Sequence, residues 1–149
     1  MKYIRHAESK DISRLAEILI FTKRITYRPI FQDDKVSFGK MQVLTLAKEL
    51  TENKSLLDTY WVYDDEFVKG LIRIEKDQVV ELYVDIFFKN QGIGKALLKF
   101  AVQKKGANHL WVLEKNTDAI SFYSHNGFIL SDERKIEEGT SEYIVKMII

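Results

Sequence analysis

The chain of 149 residues contains no cysteine, a single proline and three histidines. Without cysteine there can be no disulfide, no thiol nucleophile and no thiolate metal ligand, and such a chain suits a reducing compartment, so a cytoplasmic location is expected. His6, His109 and His125 are not spaced to share a helix face, so no metal site is expected either. The formal net charge is +1, an excess too small to suggest nucleic acid as a partner. No apolar run approaches the roughly 18 residues needed to span a bilayer, so no membrane partner is expected. Lys2 and Arg5 break up the N-terminus, and no apolar segment resembling a signal peptide follows them.

What the chain does have is patterning. "KYIRHA" alternates as a short strand does, and Ser9 stands where it would cap a helix carrying Ile12, Leu15, Ala16 and Leu19 on one stripe. Pro29 predicts a loop over residues 26 to 34, and Val36, Met41, Leu44, Ala47 and Leu50 predict a second helix over residues 35 to 52. "TYWVYDD", "EFVKGLIRIEKD" and "QVVELYVDIFF" are rich in aromatic and β-branched residues and read as an antiparallel meander. Ile93, Leu97, Phe100 and Ala101 mark a helix that Gly106 ends, and "HLWVLE" reads as a strand. "NTDAISFYSHNGF" is a short helix capped by Asn116 or Thr117 and stopped by Gly127. "FILSDERKI" and "EYIVKMII" pair across a turn near Gly139. The resulting order predicts an α/β (α+β) fold in one domain over residues 1–149, with a mixed, mostly antiparallel sheet of about seven strands and helices on both faces.

"KNQGIGKALLKF", residues 89 to 100, carries the first chemical signal. A P-loop is excluded, because Lys89 stands at its first glycine position and Ala96 where a magnesium-binding hydroxyl belongs. A dinucleotide fingerprint finds Gly92 and Gly94 but has Leu97 at its third glycine, although Glu114 lies at the spacing of a ribose-binding acid. A third reading is a pyrophosphate loop at a helix N-terminus. There the backbone amides of residues 89 to 95 (Lys89, Asn90, Gln91, Gly92, Ile93, Gly94, Lys95) would face one anion, with Lys89 and Lys95 adding charge at the rim. A tight strand-to-helix turn with no ligand is the fourth, and the glycines by themselves leave it open.

The second half of the chain, taken as a unit, narrows the choice. "ELYVDIFFKNQGIGKALLKFA" followed by "LWVLEKNTDAISFYSHNGF" resembles the GNAT superfamily of acyl-CoA-dependent N-acetyltransferases. In that family a strand of the LYVD type precedes a glycine-containing loop, and a block of the form N-x-x-A-x-x-F-Y-x-x-x-G-F follows one strand later. Asn116, Ala119, Phe122, Tyr123, Gly127 and Phe128 complete the second block. Lys89 replaces the family's usual arginine or glutamine, and Ile86 and Asn90 replace its common proline and glycine.

The resemblance implies acetyl-CoA as cosubstrate, no metal, an amine acceptor and, as in many members, a homodimer. Pantetheine would pair with the backbone of Leu82, Tyr83 and Val84, the diphosphate would rest on residues 89 to 95, and Asn116 would bond the pantetheine amides. Tyr123 matches the family's acid for the departing thiolate. A phenol of pKa ~10 facing a thiol of ~8.5 makes full proton transfer uphill by about 2 kcal/mol, so Tyr123 is read first as a hydrogen-bond donor. A lysine-like amine of pKa ~10.4 is neutral in only about one molecule in 2,500 at pH 7, whereas an α-amine loses only about 1.4 kcal/mol. A base is therefore sought. Glu81 is the leading candidate and also a substrate contact, with Asp85, Glu114 and His125 behind it. Trp111 occupies the position where some members place a glutamate base. Tyr27, Trp61 and Tyr63 are candidates for the acceptor pocket. A catalytically silent acyl-CoA-binding module and a nicotinamide-dinucleotide enzyme are the competing functions.

Overall fold

The computed structural model describes residues 1–149. Seven strands form one sheet in the order β1-β2-β3-β4-β5-β7-β6. They are β1 (Ile4–His6), β2 (Tyr60–Asp65), β3 (Phe67–Glu75), β4 (Gln78–Val84), β5 (His109–Leu113), β6 (Ile129–Ile136) and β7 (Tyr143–Ile148). All neighbours are antiparallel except β4 and β5, which are parallel because helix α4 (Ile93–Lys105) carries the chain back between them. The helices α1 (Ile12–Phe31), α2 (Val43–Glu52) and α3 (Lys54–Leu57) precede the meander, and α5 (Thr117–His125) follows β5. No helix is long and apolar enough to cross a membrane. The mixed, mostly antiparallel seven-strand sheet with helices on both faces is the architecture expected from the sequence.

Alternation along β3 divides the core in two. Leu71 joins Leu15, Leu19, Leu50 and Val62 beneath α1 and α2, while Ile72 joins Leu97, Leu98, Ala101, Phe128 and Met147 beneath α4. Gly70 brings α4 close: a Cβ there would lie 3.0 Å from the Ile93 side chain and 3.2 Å from the Tyr83 carbonyl oxygen. The start of α4 therefore rests directly on β3, which fixes where its N-terminal amides sit.

Three local expectations are corrected. The helix entry is organised by Asp11 and not by Ser9: the Asp11 carboxylate accepts from the Glu8 N–H at 2.8 Å and from Arg5 at 2.8 and 2.9 Å. Residues 26 to 31 are helical and not a loop, since α1 continues through Pro29 to Phe31 and ends with Gln32 in the left-handed region. Pro29 falls in the last turn, where its missing N–H removes one helix bond, and Tyr27 stays in register to bond Tyr83. Residues 35 to 52 do not form one helix. A π-helical turn over Lys35–Lys40 is followed by extended Met41 and Gln42 before α2 begins. Arg24 draws the carbonyls of Ser37 and Met41 to itself at 2.9 Å each, which ties this connection to α1 instead of to a continuous helix.

The feature with most consequence is in β4. Arg73 pairs with Glu81 and Ile74 with Val79, so Val80 is an extra residue opposite no partner on β3. Val79 then packs beneath α4 while Glu81 faces α1, although residues two apart on a regular strand share a face. Pairing of β4 with β5 covers only Gln78 with His109 and Val79 with Leu110, and stops where the bulge begins. Beyond it β4 stays with β3 and β5 with β7, so the two central strands diverge. Deleting Val80 is predicted to cost about 3 kcal/mol or more, because either Glu81 loses its cations or Val79 leaves the core. Thermal unfolding should show a fall in Tm on the order of 10 °C together with loss of the ligand-binding cleft.

Candidate active site

The divergence of β4 and β5 opens two adjoining cavities. One, of about 260 Å³, lies among Tyr27 and Phe31 of α1, Glu81 and Tyr83 of β4, Trp111 of β5 and Glu137. The other, of about 670 Å³, extends from Leu82, Tyr83 and Val84 to the start of α4 and is flanked by Ile25 and Pro29. Tyr123, Asn116, Ala119, Leu82 and Tyr83 line both and form the junction between them.

The loop into α4 closes the larger cavity. Asn90 at φ 62° and Gly92 at φ 80° take left-handed conformations, and a Cβ on Gly92 would meet nothing within 4 Å. None of the backbone amides from Lys89 to Lys95 donates to an acceptor of the protein, whereas Ala96 already donates to the Gly92 carbonyl. These are the orphan donors of a helix N-terminus, converging where the helix dipole is positive. Lys89 and Lys95 have exposed side chains outside any ion pair and add positive charge to the rim. Gln91 is exposed and does not line the cavity. Gly94 has a different reason to be glycine: a Cβ there would lie 3.3 Å from the Phe122 ring, so α5 packs on the first turn of α4.

Asn116 caps α5, its side-chain oxygen accepting from the Ala119 N–H at 3.2 Å, and its amide group remains turned to both cavities. Tyr123 follows two turns later, held between Phe122 and Phe128 with ring centroids 5.3 and 6.0 Å away. Its hydroxyl makes no hydrogen bond within the protein and is not sealed off, so the phenol stands free at the junction. Burial pushes the pKa of this phenol above its ordinary value, with the nearby Tyr27 adding to the effect, and the proton is retained across the physiological range.

Glu81 sits differently from the free base expected of it. Lys23 pairs with its carboxylate at 2.8 Å, the Tyr60 hydroxyl donates to it at 2.6 Å, and Arg73 lies 3.8 Å away. Burial alone would raise this carboxyl, but Lys23, Tyr60 and Arg73 outweigh it and hold the group below the usual range. Such a carboxylate is a weak proton acceptor. The other acids are also engaged. Asp85 accepts from Arg14 at 2.7 Å and from the Phe87 amide at 2.9 Å, and Glu114 pairs with Arg134 at 2.6 and 3.0 Å. Glu114 lines neither cavity, so it is not placed as the ribose-binding acid of a dinucleotide site would be. His125 is exposed at the end of α5, its Nδ1 2.7 Å from the Ser121 carbonyl oxygen. Trp61 and Tyr63 do not line the acceptor cavity: Trp61 packs with His6 and Phe100, and Tyr63 with Tyr3. Tyr27 does line it, its hydroxyl 2.7 Å from that of Tyr83. Phe31, Lys23 and Glu137 were not anticipated, the first because Pro29 read as a break and the last because it belongs to a hairpin turn with no motif of its own.

A sheet parted at its only parallel pair, with free strand edges leading to free helix-terminal amides, defines a cleft for an extended ligand bearing an anionic group. Comparison with known proteins names the family. The family model described as "Acetyltransferase (GNAT) domain" matches residues 57–130, about half of the chain. A spermidine N(1)-acetyltransferase from Thermoplasma acidophilum is 27% identical over 143 residues, covering 87% of this chain and 89% of that protein. The crystal structure of the PaiA N-acetyltransferase from Thermoplasma acidophilum in complex with coenzyme A has a TM-score of 0.68 at 25% identity, covering 98% of each chain. An N-acetyltransferase from Staphylococcus aureus Mu50 shares the fold with a TM-score of 0.78 at 15% identity, over 98% of this chain and 99% of that one. The chain belongs to the GNAT acetyltransferase family and is an acetyltransferase of that type.

The Glu81 carboxyl gives a pH test. Its folded pKa is lowered, so its stabilisation is complete above the unfolded value of ~4.3 and is lost as pH falls through the folded value. Glu81→Gln is expected to cost roughly 2–3 kcal/mol at pH 7, and in urea denaturation the gap to the parent protein should begin to narrow as pH falls past the unfolded value of ~4.3 and close only below the lowered folded value.

Proposed function

We propose that the protein transfers an acetyl group from acetyl-CoA to a primary amine of a small molecule or peptide by direct attack, with Tyr123 as the acid for the leaving thiolate. The diphosphate rests on the amides of residues 89 to 95, assisted by Lys89 and Lys95, and pantetheine lies along the edge of Leu82, Tyr83 and Val84 beside Asn116. This assigns the larger cavity to the donor and the smaller one to the acceptor. The observation that carries the reading is the free phenol of Tyr123 at the junction of the two, facing a strand edge that no other strand covers. The related acetyltransferase from Thermoplasma acidophilum is named for spermidine, an amine.

The chemistry needs no covalent enzyme intermediate. The neutral amine adds to the thioester carbon, the carbonyl oxygen takes the negative charge, and the carbon–sulfur bond then breaks. Tyr123 donates a hydrogen bond to the sulfur as its charge develops and completes proton transfer late, because its raised pKa opposes early transfer. Addition leaves an extra proton on nitrogen, which passes to solvent as the amide forms, and solvent returns a proton to the Tyr123 phenolate. With Glu81 held ionised by Lys23 and Tyr60, deprotonation of the amine falls to solvent before attack. Glu81 keeps a place at the acceptor wall, where it fixes Lys23 and Tyr60 instead of receiving the proton.

Two outcomes follow. Tyr123→Phe should lower kcat by about 10²- to 10⁴-fold in a thiol-release assay while coenzyme binding, read by thermal shift, is retained. Binding without turnover by the parent protein would instead identify a silent coenzyme-binding module. With a lysine-like amine, kcat/KM should rise about tenfold per pH unit between pH 6.5 and 8.5, following the neutral fraction of the amine. A plateau across that range would reveal an enzymic base.

A further inference from the structure

We propose that Glu137 selects the acceptor by binding a second positive charge on it, so that the enzyme prefers diamines over monoamines. This rests on the acetyl-transfer reading above and extends it to the acceptor's chemical class. Glu137 sits at the end of β6 in a turn fixed by the backbone: its N–H donates to the Glu142 carbonyl at 2.8 Å, and Thr140 returns an N–H to the Glu137 carbonyl at 3.0 Å. The side chain reaches the wall of the smaller cavity, where the only charged residues are Glu81 and Glu137 and no basic residue appears. Glu81 is already matched by Lys23 at 2.8 Å. Glu137 has neither an ion pair nor a hydrogen bond to its carboxylate.

The cations nearby are committed elsewhere. Arg134 grips Glu114 through two bonds, Lys115 reaches Glu142 at 3.1 Å, and Lys135 lies over the Trp111 ring at 4.3 Å. The same wall presents Tyr27 and Phe31, whose ring faces favour a cation or an aliphatic chain and give no anchor to an anion, while Trp111 already holds Lys135 on one face. A half-buried acidic residue whose carboxylate has no partner, lining one cavity together with aromatic rings and Tyr123, matches an aliphatic amine whose far end is also charged. An acceptor ending in a carboxylate meets repulsion there and no compensating donor.

The test compares kcat/KM for 1,4-diaminobutane, butylamine and 4-aminobutyrate in the parent protein and in Glu137→Gln, Glu137→Asp and Glu137→Lys. The KM for acetyl-CoA is measured alongside to confirm that the donor side is intact. The parent protein should favour the diamine over butylamine by about tenfold or more, with 4-aminobutyrate poorest. Glu137→Gln should bring the diamine-to-butylamine ratio close to one through the acceptor KM, Glu137→Asp should restore part of it, and Glu137→Lys should reverse the order in favour of 4-aminobutyrate. Added salt should shrink the parent ratio and leave that of Glu137→Gln unmoved. A parent ratio near one, or a ratio that survives Glu137→Gln, overturns the proposal while leaving acetyl transfer standing. Failure of the parent protein to acetylate any amine removes the acetyl-transfer reading and this one with it.

Discussion

Val80 interrupts the ladder between β3 and β4, and the geometry of the site depends on that interruption. A bulge adds twist to the strand that carries it, and here the parallel pairing with β5 ends at the residue before it. Two strand edges are thereby left without a neighbour in the middle of a sheet. In most proteins such edges would be a liability. Here they border the two cavities, where an extended ligand with its own amides can complete the ladder. The bulge also sends Glu81 to the α1 face and leaves Val79 beneath α4, so one residue both opens the cleft and assigns the side chains around it.

Charge along the cleft runs from one sign to the other. At the entrance to α4, unpaired amides, a helix dipole and two exposed lysines make an anion site. In the smaller cavity the wall carries carboxylates and aromatic rings. Between the ends stand the phenols of Tyr123, Tyr83 and Tyr27, each held protonated by burial. A protonated phenol donates a hydrogen bond without bringing a charge, which suits a junction that must hold a neutral thioester and an incoming neutral amine. The same burial makes complete proton donation costly, so in the proposed mechanism charge would develop on sulfur before the proton moves.

Much of this was readable in the sequence because it is local. The loop of residues 89 to 95 and the block from Asn116 to Phe128 each lie within one turn or helix, and the strand order follows from the spacing of aromatic and β-branched runs. The errors arose where a distant side chain decides the backbone. Pro29 reads as a break, but only its last-turn position and the packing of Tyr27 against β4 show why the helix survives. The stripe over residues 35 to 52 is real, yet Arg24 from another helix claims the carbonyls of Ser37 and Met41. Glu81 reads as a free acid because Lys23, Tyr60 and Arg73 lie 58, 21 and 8 residues away in sequence and converge only in the fold. The bulge at Val80 has no sequence signature, since valine fits a regular strand as well.

The Glu81 cluster places a buried ion pair beside the cleft. Such pairs add little net stability, because desolvation of both charges offsets their attraction. Their effect is on alternatives. If β4 slid by one residue, Leu82 would take the place of Glu81 beside Lys23, and the carboxylate would face Leu97 and Ile93 beneath α4. That arrangement is heavily penalised, whereas an apolar residue at position 81 would fit either register. The charge therefore disfavours the slipped register and favours the bulge at Val80, beyond which β4 and β5 part. A residue chosen from its type as a catalytic base is thus engaged in an ion pair that bears on the shape of the site, and under our proposal the acceptor's charge would be read by Glu137.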